Sequence, residues 1–124
     1  MRTCNEILAA LNDEQKVLLA DTLNYGSWGD CDFDDDKECG VYAMGYITND
    51  AYRGGHFERK TLSARFRSLF KALGLKGTRH YKKCKEMKWF HDWWGDGSGS
   101  VLLIRQELCD DFENWARLYR HRQE

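Results

Sequence analysis

The chain has no apolar run approaching the roughly 18 residues that a helix needs to cross a bilayer, and its N-terminus lacks the basic segment and apolar core of a signal peptide. A cytoplasmic protein away from membranes is expected. Neither G-x-S-x-G nor H-E-x-x-H occurs, and no close Cys/His/Asp set pairs a nucleophile with a base, so no enzyme is expected. The phosphate-cradling G-x-x-x-x-G-K-[ST] arrangement is also missing, and the glycine-rich GDGSGS at 95–100 is read as a turn. No C-x-x-C pair is present. The five cysteines, Cys4, Cys31, Cys39, Cys84 and Cys109, are odd in number and irregularly spaced, so reduced thiols are expected, with neither cofactor nor metal. His80 and Cys84 are four apart and would share a helix face, but nothing in the spacing completes a zinc site around them.

A local absence says more. Between Arg59 and Lys85 there is no acidic residue, although the whole chain is close to neutral at net −1. Charge is segregated along the sequence. Residues 1–50 hold three basic and eleven acidic side chains, residues 51–90 twelve and two, and residues 91–124 four and seven. A cationic middle of this kind sets up a positive field over part of the surface, which attracts nucleic acid. With 124 residues, 42% of them apolar, the chain is large enough to bury a core, and a single domain over 1–124 is expected.

The organising element lies inside that cationic block. In TLSARFRSLFKALG, residues 61–74, the positions of Leu62, Phe66, Leu69, Phe70 and Leu73 fall on one stripe of an α-helix. Thr61 is the expected N-cap and Gly74 the expected terminator. Opposite the stripe stand Lys60, Ala64, Arg67, Ser68 and Lys71, with Ser63 and Arg65 on the flanks. An ordinary solvated helix would mix acids with these bases, because pairs of opposite sign at i,i+4 stabilise it.

Around this helix the chain is read in order. Thr3–Glu6 has the form of a capping box and starts a short helix carrying Ile7, Leu8 and Leu11; Asn12 to Gln15 repeats the signal and opens a helix over 13–25. Residues 26–38 are read as an acidic loop. Asp30, Asp32, Asp34, Asp36 and Glu38 alternate as calcium ligands do, but a calcium loop needs Gly and Glu where this chain has Asp35 and Val41. Asp35 is therefore read as the cap of a helix over about 37–47, with Glu38 at its third position. A long basic loop, 48–60, carries Arg53, His56, Arg59 and Lys60. Residues 75–88 are left open between helix, loop and strand. The β-prone runs 87–94 and 100–105, separated by glycine and serine, are read as an antiparallel hairpin. Leu108, Phe112, Trp115 and Tyr119 then mark a last amphipathic helix, about 107–122, whose apolar face either completes the core or pairs two copies as a homodimer.

The order that results is mainly α with a small antiparallel β-hairpin, an α+β arrangement of four to five helices and a two-stranded wing. It resembles a winged helix-turn-helix DNA-binding domain. TLSARFRSLFKALGL is similar to the recognition helix of such domains, and DGSGSVLLI to the tip and second strand of a wing, over residues 12–105. The resemblance implies duplex DNA binding, sequence-specific or architectural, in the service of transcriptional regulation. Arg67 and Ser68 would approach base edges; Lys60, Arg65 and Lys71 would hold phosphates; Arg53, Arg59, Ser63, Lys83 and Lys85 would complete the interface. Two other readings of the same residues stay open. One is a protein-interaction module using the Trp-rich hairpin and the segregated charge, without nucleic acid. The other is single-strand binding by stacking on Trp89, Phe90 or Trp94.

Overall fold

The structure is a computed structural model that describes residues 1–25, 27–33, 36–42, 59–77, 81–94 and 97–123. Helix and strand share these residues. Four helices, α1 (Cys4–Ala9), α2 (Asp13–Tyr25), α3 (Arg59–Ala72) and α4 (Gln106–Gln123), accompany six strands: β1 (Ser27–Phe33), β2 (Asp36–Tyr42), β3 (Lys76–Gly77), β4 (Tyr81–Lys83), β5 (Met87–Trp94) and β6 (Gly97–Ile104). The strands form one sheet in the order β1-β2-β6-β5-β4-β3, with every neighbouring pair antiparallel.

Local signals at the helix ends act as the sequence implies. At α1 the Thr3 hydroxyl accepts from the Glu6 backbone N–H while the Glu6 carboxylate accepts from the Thr3 N–H, both at 3.2 Å. Asn12 and Gln15 make the same reciprocal pair at the start of α2, at 2.8 and 2.9 Å. Each pair satisfies donors that the first helical turn otherwise leaves orphaned. Helix α3 begins at Arg59, so Thr61 lies inside it and is not its N-cap. Its C-terminal signal works as expected: Gly74 has φ 79°, the Leu75 N–H donates to the Phe70 carbonyl and the Gly74 N–H to that of Lys71, both at 3.1 Å. Only glycine takes that backbone conformation without strain, and Phe70 and Leu75 are both buried beside the closing turn.

The β5–β6 hairpin pairs in register from Met87↔Ile104 to Trp94↔Gly97. Strand β6 thus starts earlier than expected, and only residues 95 and 96 connect the two strands. Instead of standing alone as a two-stranded wing, this hairpin is the centre of the six-stranded sheet.

The larger correction falls on residues 27–33 and 36–42. In place of an acidic loop and a helix, Ser27–Phe33 and Asp36–Tyr42 form an antiparallel hairpin, paired from Ser27↔Tyr42 to Phe33↔Asp36. Asp36–Tyr42, expected to open a helix, is strand β2, and Asp35, its expected cap, lies outside the described residues. The alternation of Asp30 with Asp32 has the two-residue period of a strand, and Gly40 weighs against a helix interior. The deciding contact is remote: Cys39–Val41 of β2 pair with Leu102–Ile104 of β6. Residues 43–58, the rest of that expected helix and most of the basic loop, lie outside the described residues, as does His80.

One face of the sheet carries the helices. Met87, Leu102 and Ile104 join Ile7 of α1, Leu19 and Leu23 of α2, Phe66, Leu69 and Leu73 of α3 and Phe112 and Ala116 of α4 in a single buried cluster. Trp28, Leu102 and Trp89 fall in one register row that crosses β1, β2, β6 and β5. The Trp28 indole N–H donates to the Leu23 carbonyl at 3.2 Å, and Asn24 Nδ2 to the Ala116 carbonyl at 2.9 Å, which ties α2 to both the sheet and α4. Burial of this cluster is the main favourable term in holding the layers together.

Candidate nucleic-acid interface

Helix α3 is held by its apolar stripe. Phe66, Leu69, Phe70 and Leu73 are all buried, and the Phe70 ring stacks on Trp89 of β5 with centroids 4.7 Å apart and an interplanar angle of 28°. Phe66 extends the stack at 6.1 Å from Phe70. With that side fixed, helix geometry turns Arg67, Ser68 and Lys71 outward, and all three are exposed. Neither Arg67 nor Lys71 has a carboxylate partner among the described residues. The cationic side of the helix is therefore open to solvent along this half.

Ser68 is shared. Its Oγ accepts from Gln15 Nε2 at 3.0 Å, so the N-terminal turn of α2 is tied to the outward side of α3. The hydroxyl keeps its own proton to donate to a ligand. Gln15 does not figure among the site residues expected from sequence; its capping pattern with Asn12 places it at the start of α2, and only the packing of α2 against α3 brings it to Ser68.

Arg59, Lys60, Ser63 and Arg65 belong to the N-terminal half of α3, and Arg53 lies outside the described residues. Lys85 is exposed in the bend between β4 and β5, where its carbonyl accepts from Arg105 Nε at 2.7 Å. Lys83 is corrected. It pairs with Lys88 across β4 and β5, and Lys88 alternates with Met87 and Trp89, which face the helices. Lys83 thus belongs to the other face of the sheet and does not join Arg67 and Lys71 on one surface.

The C-terminal end of α3 is clamped by a residue from the start of the chain. The Arg2 guanidinium donates from Nη2 to the Leu73 carbonyl at 2.8 Å and to Glu86 Oε2 at 3.0 Å, and the Arg2 backbone N–H donates to Glu86 Oε1 at 2.8 Å. Burial by itself would raise the Glu86 carboxyl; the hydrogen bonds and charge of Arg2 reverse this and hold it at about 2. The hydrogen bond to Glu86 in turn raises Arg2. A cation at the last carbonyls also complements the helix dipole.

Cys4, Cys84 and Cys109 are free thiols. Burial raises Cys4 to about 11, with the charge of Asp111 adding to it, and burial also raises Cys84. Thiols held protonated in this way are poor nucleophiles and poor metal ligands near neutral pH. Cys84 Sγ lies 4.0 Å from Arg2 Nη2, a cationic neighbour. Among the described residues no group of three His, Cys, Asp or Glu converges as a metal site, and no helix is long and apolar enough to cross a membrane.

No known protein family, curated protein or solved structure matches the chain.

Proposed function

We propose that the protein binds duplex DNA through the exposed side of α3, as a cytoplasmic, non-catalytic regulator of transcription. The observation that carries this reading is the state of Arg67 and Lys71: outward on a helix whose other side is anchored by stacked rings, and without a carboxylate partner among the described residues. A rigid cationic rod of this kind fits the major groove, where Arg reads base edges and Lys holds phosphate. In the winged-helix-like form of this reading, α2 and α3, joined at Gln15 and Ser68, are the helical pair, and β5–β6 is the hairpin beside it. Two copies reading two half-sites suit a module of this size. Helix α4 is the proposed dimer element, and Leu118 on it is exposed. The test is a mobility shift on genomic fragments at low salt. Binding that weakens steeply as salt rises supports the reading, and its absence for the wild type ends it.

A second reading draws on the sheet. Strands β1 and β2 at one edge carry Asp30, Asp32, Asp36 and Glu38, whereas β3 and β4 at the other carry Lys76, Lys82 and Lys83. Such polarity suits docking to another protein without nucleic acid. Elution as a defined hetero-complex that nuclease does not disturb selects this alternative.

A further inference from the structure

Gln15 is held at both ends of its amide. Its Oε1 accepts from the Asn12 backbone N–H at 2.9 Å, while its Nε2 donates to Ser68 Oγ at 3.0 Å and reaches the Ser68 carbonyl at 3.5 Å. A backbone N–H can only donate, so the amide oxygen must face Asn12 and the NH2 group must face Ser68. Asn12 Oδ1 in turn accepts from the Gln15 backbone N–H at 2.8 Å, which fixes the turn that carries the side chain. The capping pair that starts α2 thereby sets the direction of a hydrogen bond on α3.

The consequence falls on the Ser68 proton. With Gln15 donating to it, the Ser68 hydroxyl is an acceptor on that side and its proton points elsewhere. A serine inside a helix commonly returns its proton to the carbonyl one turn back, but among the described residues Ser68 Oγ bonds only to Gln15. Ser68 is exposed, and so are Arg67 beside it and Lys71 three residues on, neither of which has an ion pair among the described residues. Asp13 and Glu14 already complement the N-terminal dipole of α2. The pull on an electron-rich atom near Ser68 therefore comes from the cations of α3 and not from the end of α2.

We propose that Gln15 is a positioning residue of the α3 interface, one that keeps the Ser68 hydroxyl turned outward as a donor to an acceptor atom of the duplex. The inference rests on the DNA-binding reading of α3. A phosphate oxygen meets the requirement, and so does an acceptor on a base edge such as guanine O6 or N7 or thymine O4. Gln15 acts through Ser68 without itself reaching the ligand. Gln15→Glu reverses the polarity of the contact: the carboxylate still accepts from Asn12, but its second oxygen also only accepts, so the Ser68 proton turns inward and is lost to the duplex.

The test is a double-mutant cycle of Gln15→Glu and Ser68→Ala. Affinity is read by fluorescence anisotropy for a pool of random-sequence duplexes and for the duplex that the wild type selects from that pool. The added negative charge weakens binding whether or not Ser68 is present, so only the difference between the two backgrounds counts. With Ser68 in place, Gln15→Glu should lower affinity about tenfold more than it does beside Ser68→Ala. Urea unfolding should show the fold intact, because the cap on Asn12 is kept. If Gln15→Glu disturbs the fold, Gln15→Ala takes its place; it frees the Ser68 proton to return to α3, and the coupling keeps its sign. A difference on the random pool assigns the acceptor to phosphate, and one confined to the selected duplex assigns it to a base edge. Equal losses in both backgrounds, or a Ser68→Ala variant that binds as tightly as the wild type, overturn the proposal and leave the α3 reading standing. Failure of the wild type to bind any duplex removes both.

Discussion

Arg2 and Glu86, 84 residues apart in sequence, meet at 3.0 Å, and the same guanidinium caps the last turn of α3 through the Leu73 carbonyl. Glu86 is nearly fully buried, while the Arg2 side chain is 36% exposed. The two ends of the contact are therefore unequal: loss of Arg2 strands a buried carboxylate, whereas Arg2 itself can reach water. Arg2→Ala is expected to destabilise the fold by about 2–3 kcal/mol, measured by urea unfolding, and the double change Arg2→Ala with Glu86→Gln by less, since it leaves no buried charge unpaired.

The same pair predicts an acid-side stability profile. Glu86 titrates at about 2 in the folded protein against 4.5 as its ordinary value, so the unfolded chain binds the proton more readily. Stability from this contact is fully present above about pH 4.5 and is lost as pH falls towards 2. Thermal melts over that range should show a falling transition temperature for the wild type and a flatter profile for Glu86→Gln. Equal slopes in the two proteins would remove Glu86 as the cause.

Gly74 offers a separate check on how α3 ends. Its φ of 79° is unfavourable for any residue with a side chain, and an added Cβ would sit 3.4 Å from Arg2 Nη2. Gly74→Ala should cost about 1–2 kcal/mol through backbone strain, with Arg2 shifting slightly to make room. An unchanged melting curve would contradict the left-handed geometry at this position.

Anchoring of the helix depends on Phe70. Truncation to alanine removes a buried ring stacked on Trp89 at 4.7 Å, and the expected loss is about 3–5 kcal/mol. That is a large share of the roughly 5–15 kcal/mol available to a domain, so Phe70→Ala should unfold at markedly lower denaturant and alter the tryptophan fluorescence. Normal stability in this variant would place α3 elsewhere.

Removal of charge from the outward side should act differently. Arg67→Ala with Lys71→Ala is expected to leave the far-ultraviolet spectrum and the melting point nearly unchanged, because both side chains are exposed and neither makes a hydrogen bond or ion pair among the described residues. DNA affinity should fall by about 1–3 kcal/mol for each of the two side chains removed, and the slope of log affinity against log salt by about one for each phosphate no longer neutralised. Titration by fluorescence anisotropy at several salt concentrations measures both. Undiminished DNA affinity in the double variant would take α3 out of the interface.

Much of the helical layer is legible from local chemistry. The capping pairs Thr3–Glu6 and Asn12–Gln15, the stripe Phe66–Leu69–Phe70–Leu73, the terminator Gly74 and the run Leu108–Phe112 each act within a few residues of themselves, so short-range spacing suffices to read them. The outward position of Arg67 and Lys71 follows from the same periodicity. Residues 27–33 and 36–42 do not yield to it. Acids at a period of two resemble a loop in isolation, and the pairing that ties their hairpin into the sheet, Cys39–Val41 with Leu102–Ile104, joins residues some sixty positions apart. The short strands Lys76–Gly77 and Tyr81–Lys83 are equally hidden, since so few residues carry no periodic signal.

By itself the sequence determined where α1 and α2 begin and where α3 ends, which side of α3 is greasy and which cationic, and that positive charge gathers between Arg59 and Lys85. Tertiary structure alone decided that the hairpin is the middle of a six-stranded sheet, that Gln15 reaches Ser68, that Arg2 closes α3 against Glu86, and that Lys83 faces away from Arg67. The physical reason is range. Caps and amphipathic stripes are satisfied by neighbours in the chain, whereas strand pairing and ion pairing depend on residues that become neighbours only once the core has formed.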